Sequence, residues 1–196
     1  MAKVKGPLMS FDASGKLANS IVFMKWKGIP TVRAHVKPSN PQTAGQTAQR
    51  TKMSDAVVQW HNALLSATDK TAWNLFASSF TAVLSGFNAF VKKYIDLVVA
   101  GVTYVLLFSF AVTDNANQTC TIDVTADQGG YHMYVKYGTS KNALINSELM
   151  ADDADDSYSF TTAALVSGQR YFFQCYINHP VASMGNTTGI IEVVVA

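Results

Sequence analysis

The hydrophobic pattern of this chain changes period at Gly101, and a fold built from one class of element does not accommodate both sides of the change. From Met53 to Val98, apolar residues recur at helical spacing. Met53, Ala56, Val57, Trp60 and Leu64 form one stripe, Trp73, Phe76 and Phe80 a second, and Phe87, Phe90, Val91, Tyr94, Ile95 and Val98 a third. Each stripe occupies one face of a helix and predicts a core side. After Gly101, seven short runs rich in β-branched and aromatic residues follow, at 103–113, 118–126, 131–139, 142–149, 157–163, 170–177 and 188–196. Turn residues separate them, a cadence that predicts a β-sandwich. The expected fold is therefore α+β, with a β-hairpin plus three-helix docking module over 1–100 and a seven-stranded immunoglobulin-like sandwich over 101–196.

Ahead of the helices, Leu17–Trp26 and Ile29–Val36 read as two strands joined by Lys27-Gly28, a two-residue connection ending in glycine that predicts a hairpin. Pro30 near the start of the second strand points to an edge position, because proline donates nothing to a ladder. Residues 1–16 read as irregular. "KPSNPQT" then breaks the strand, with Asn40 placed to cap the first helix and Pro41 in its first turn. The opening of that helix, Gln42 to Arg50, has polar donors and acceptors but no apolar stripe. Ser66 and Asp69 stand at capping-box spacing before the second helix.

Charge is unevenly shared. Residues 1–100 carry twelve Lys or Arg against four Asp, a balance of +8, and residues 101–196 carry three against nine Asp or Glu, a balance of −6. Such asymmetry suits either nucleic acid under the basic half or contact between copies, basic against acidic. The lysines, however, are interleaved with apolar strand residues, and no nucleic-acid fold signature is present, which ranks nucleic acid below a protein partner. The opening "MAKVKGPLMSFDASG" lacks the apolar core of a signal peptide. The longest charge-free run, between Asp96 and Asp114, is short for a membrane span and is broken by Gly101. The expected setting is the cytoplasm, where Cys120 and Cys175 need not be oxidised.

No constellation for catalysis emerges. His35, His61, His132 and His179 are scattered without metal-ligand spacing. There is no phosphate-cradling glycine loop and no nucleophile elbow. Residues 1–100 contain no Glu. The acidic "DDADD" at 152–156 lacks the glycine and terminal Glu of a calcium loop and reads as a solvated turn or a patch for a basic partner. Neither an enzyme, nor a cofactor, nor a metal site, nor a small-molecule substrate is expected.

Two resemblances add to this. "LVSGQRYFFQCYIN…GNTTGIIEVVV" resembles the last two strands of a fibronectin type III domain, with Leu165 before the turn and Tyr171 opening the strand. The resemblance implies that Cys120 and Cys175 fall on the second and sixth strands, where antibody-type domains place a disulfide. The family's tryptophan is absent, and Tyr134 or Tyr137 would stand in for it. "GKLANSIVFMKWKGIPTVR…NPQTAGQTAQR", followed by "FNAF", resembles an N-terminal module of uncharacterised tailed-phage and prophage proteins. The matching positions are Gly15, Lys16, Asn19, Trp26, Lys27, Gly28, Arg33, Asn40, Pro41, Thr43, Gln46, Arg50, Phe87, Asn88 and Ala89. This implies a virion, and a structural role as a capsid decoration or head-stabilising protein, with a tail, neck or baseplate accessory as the alternative. The partners would be other virion proteins and further copies of the chain. Trp26, Lys27, Arg33, Asn40, Gln46, Gln49 and Arg50 are the expected contact residues, because aromatic and Arg anchors among adaptable polar groups suit such a surface.

Overall fold

The computed structural model describes residues 2–3, 15–18, 20–37, 39–40, 42–115, 117–153 and 155–196. They fall into two compact units, residues 1–43 and 44–196.

The first unit is an antiparallel sheet of β1 (Ala2–Lys3), β2 (Gly15–Leu17), β3 (Ile21–Trp26) and β4 (Ile29–Ala34), in the order β1-β4-β3-β2. Lys27 and Gly28 join β3 to β4 as expected. Both have positive φ, 48° and 80°, as a two-residue turn matched to the twist of its strands requires. The single strand expected over 17–26 is instead two. Ser20 N–H donates to the Leu17 carbonyl at 3.0 Å and turns the chain between β2 and β3. The irregular stretch expected over 1–16 lies, from Val4 to Ser14, outside the described residues. Pro30 is not on an edge strand, since β4 lies between β1 and β3. It is tolerated because Trp26 and Ile29 close the hairpin as a hydrogen-bonded pair, which makes Lys25–Pro30 a non-bonded one. On its other side, β1 pairs only Thr31 and Val32.

The second unit begins with α1 (Ala44–Trp60), α2 (Ala67–Ala77) and α3 (Gly86–Val99). Ala56 is buried, and Val57 and Trp60 are half-buried. Met53 and Leu64, expected on the same face, are exposed. At Leu64 the reason is local: the helix ends at Trp60, so helical spacing no longer applies and Leu65 turns inward instead. Aromatic edges fill the helical core, Trp73 on Phe90 at 5.1 Å and Trp60 on Phe90 at 5.3 Å between centroids. The Ser66/Asp69 capping box forms as spelled. Gly101, at φ 76°, ends α3 with paired bonds from Val102 N–H to Leu97 O and from Gly101 N–H to Val98 O.

Eight strands follow: β5 (Leu107–Asn115), β6 (Thr119–Ala126), β7 (His132–Gly138), β8 (Asn146–Leu149), β9 (Ala151–Asp152), β10 (Ser157–Thr161), β11 (Arg170–His179) and β12 (Ile191–Val194). Each of the seven expected runs contains one, and β9 is additional. They make two four-stranded antiparallel sheets, β5-β6-β10-β9 and β12-β11-β7-β8. Phe110, Ile122 and Val124 from the first meet Met133, Val135, Phe173 and Ile177 from the second in one core. The protein is thus a mixed α+β chain with antiparallel sheets.

The division expected near residue 100 falls inside the second unit, where helices and sheets are joined by polar bonds. Asp69, 3% exposed, caps α2 and also accepts the N–H groups of Phe110 (2.9 Å) and Ser109 (3.2 Å) in β5. Ile190 N–H reaches the Ala72 carbonyl of α2 at 3.0 Å. The Asn186 amide accepts from Val105 N–H and donates to the carbonyls of Thr103 and Ser183.

Candidate functional site

The first unit has a sheet but little core. Among its described residues only Thr31 is buried, at 5% exposure, and its hydroxyl donates to the Met24 carbonyl. Strand alternation and register assign its faces. Lys16, Val22 and Arg33 form a row across β2, β3 and β4, followed on the same face by Met24–Thr31 and Trp26–Ile29. The opposite face carries Leu17, Ile21 and Ala34, then Phe23 and Val32, then Lys25 and Pro30. Leu17, Ile21, Trp26 and Ile29 are all exposed. Trp26 shows 55% of its surface at the end of the hairpin, with the Lys27 ammonium 5.9 Å from its ring centroid.

Trp26, Lys27, Arg33 and Asn40 therefore belong to the first unit, whereas Gln46, Gln49 and Arg50 belong to the second. All seven are exposed. Gln46, Gln49 and Arg50 share one face of α1 by their spacing. Asn40 is not the helix cap. The helix begins at Ala44, Gln42 takes a left-handed φ of 45°, and Thr43 is the residue ahead of the first turn. Of the positions in the phage-module resemblance, Asn19 and Pro41 lie outside the described residues.

Two of the four histidines, scattered in sequence, come together. The β7–β11 register places His132 beside His179, exposed rings 4.9 Å apart at 32°. On the same pair of strands, Tyr134 and Tyr176 approach to 5.7 Å, and the Lys136 ammonium lies 4.1 Å from the Tyr176 centroid. Only strand register could have revealed these neighbours, because no motif spacing encodes them. Among the described residues, no group of three or more His, Cys, Asp or Glu is placed to hold a metal, and no helix is long and apolar enough to cross a membrane.

Cys120 and Cys175 are buried in the sandwich core and are not joined to each other. Burial pushes both thiols up, with Asp114 adding to the effect at Cys120 and Asp123 at Cys175, so both are neutral and poor nucleophiles at pH 7. A thiol reagent at that pH is expected to label neither cysteine in the folded chain and both in denaturant. Prompt labelling of the folded chain would show the core to be open.

The chain matches no protein-family model and no curated protein.

Proposed function

We propose that this chain is a non-enzymatic structural component of a tailed-phage particle, a capsid decoration or head-stabilising protein that docks through its N-terminal sheet. One observation carries the docking: the sheet of residues 1–43 leaves apolar side chains exposed on both faces while burying only Thr31 among its described residues. A small sheet gains independent stability when a hydrophobic face packs on something, and the described residues of this one form no core of their own. The face that carries Trp26 and Arg33 supplies the residue types that anchor protein contacts. The virion setting is supported by the sequence resemblance around Trp26-Lys27-Gly28 and Arg33.

The second unit supports the same reading as an immunoglobulin-like appendage. Its order β5-β6-β10-β9 against β12-β11-β7-β8 corresponds to the ABED and GFC arrangement of such domains, with β8 extending the second sheet. Tyr171 lies second in β11, and its hydroxyl accepts the Val166 N–H at 3.4 Å, a bond of the tyrosine-corner kind, with Tyr171 four residues rather than two before Cys175. In this reading Tyr137, buried and stacked on Phe173 at 5.8 Å, is a better stand-in for the missing tryptophan than the half-buried Tyr134, which lies tilted against Tyr176.

Trp26→Ala and Arg33→Ala test the docking face. Each is expected to weaken attachment to particles about tenfold or more, as removal of an interface anchor does, with the melting temperature unchanged. Attachment equal to the parent chain would reject this face as the contact.

A further inference from the structure

Two lysines from distant parts of the second unit converge on one cavity. Its volume is about 190 Å³, and its walls include Lys93 of α3, Lys136 and Tyr176 of the β7–β11 face, Gln174, Thr187 and Phe76. The lining contains no carboxylate. Asp96, which acts on Lys93 from outside this lining, is held by Lys92 at 2.5 Å on the exposed side of α3. The Gln174 amide nitrogen donates to the Thr188 carbonyl, and the Tyr176 hydroxyl meets Ser147. The cationic donors on the lining are the two ammonium groups, one of them braced over the Tyr176 ring. Burial, opposed by Asp96 and reinforced by Lys92 and Lys136, lowers the Lys93 pKa, as expected where a cation is partly desolvated beside other cations. A second cavity of about 220 Å³ continues from Phe76 and Lys93 over Phe80 and Ala89, with the Lys92–Asp96 ion pair on its far wall.

We propose that this paired cavity binds an oxyanion, carboxylate or phosphate, carried on an apolar body: the anion bridges Lys93 and Lys136, and the body lies against Phe76 and Phe80. An anion there makes charge-assisted bonds to both ammonium groups and relieves their mutual repulsion. The adjoining aromatic wall gives the attached group a surface to leave water for. The site lies within residues 44–196 and does not depend on the docking sheet or on a virion.

The test titrates the full chain with phenyl phosphate, inorganic phosphate, benzoate and acetate, reading calorimetric binding and the shift in melting temperature. Saturable binding of phenyl phosphate or benzoate is expected, about tenfold tighter than that of the corresponding bare ion. Whichever of the two binds more tightly identifies the anion. Lys93→Met and Lys136→Gln should each weaken binding about tenfold, while unliganded Lys93→Met melts no lower than the parent because it removes an unpaired, partly buried charge. No saturable binding of any probe, equal affinity in both variants, or a shift reproduced by chloride at equal ionic strength would overturn the site. Equal affinity for phenyl phosphate and inorganic phosphate, and for benzoate and acetate, would overturn its apolar part.

Discussion

Asp69→Ala is expected to destabilise the second unit by about 2–4 kcal/mol, lowering its melting temperature by about 10 °C for a unit of this size. The carboxylate works on two elements at once. Within α2 it accepts the backbone N–H of Ser66 at 3.0 Å and its hydroxyl at 2.6 Å, completing the capping box. Across the unit it accepts the N–H groups of Ser109 and Phe110, which are turned toward it by an irregularity in β5 where Ser109 adopts φ 52°. Loss of a helix cap costs about 1 kcal/mol. A buried N–H left without an acceptor costs about 1–3 kcal/mol, and Phe110 is buried, whereas water can reach the exposed Ser109. Ser66→Ala is the informative comparison: it loses the cap and keeps the bonds to β5, so it should cost about 1 kcal/mol. Equal losses for the two variants in denaturant melts would mean that Asp69 serves only the helix.

Gly189→Ala should cost a similar amount, about 2–4 kcal/mol, by a different route. A β-carbon at residue 189 would stand 2.3 Å from the Ala72 carbonyl carbon, 2.4 Å from Trp73 N and 2.6 Å from Ala72 O. These are helix backbone atoms and cannot swing aside. The strand segment must withdraw instead, taking Ile190 N–H off the Ala72 carbonyl. Gly45→Ala provides the control, because a β-carbon there meets nothing within 4 Å. In a helix that change should be neutral or stabilise by up to about 1 kcal/mol. A denaturation midpoint for Gly189→Ala equal to that of the parent would contradict the close approach of backbones.

These two residues also mark where sequence reasoning reached its limit. The stripes led by Trp73 and Phe90, the Lys27-Gly28 turn, the Ser66/Asp69 box and the Gly101 stop were legible because each is written in neighbouring residues with its own periodicity or φ requirement. The second role of Asp69 was not, since it joins residues 41 positions apart and depends on an irregularity in β5. Gly189 carries no positive φ to advertise it. Its reason is a helix more than a hundred residues earlier in the chain. The boundary near residue 100 followed the change of period, but the period reports local structure and says nothing about bonds such as Ile190 to Ala72. At the candidate site, Trp26, Arg33 and the polar residues of α1 are exposed. Asn40 was misplaced because the left-handed Gln42 delays the helix to Ala44. The Lys93–Lys136 cavity has no sequence signal, as its two cations come from a helix and a strand 43 positions apart.

The central claim, that the chain is a building part of a particle and docks through its N-terminal sheet, is tested most directly by quantitative mass spectrometry of purified phage particles. A virion structural role predicts the chain in every preparation, and a decorating role predicts a copy number matching the sites of the capsid lattice. Absence of the chain, or one or two stray copies per particle, would contradict it.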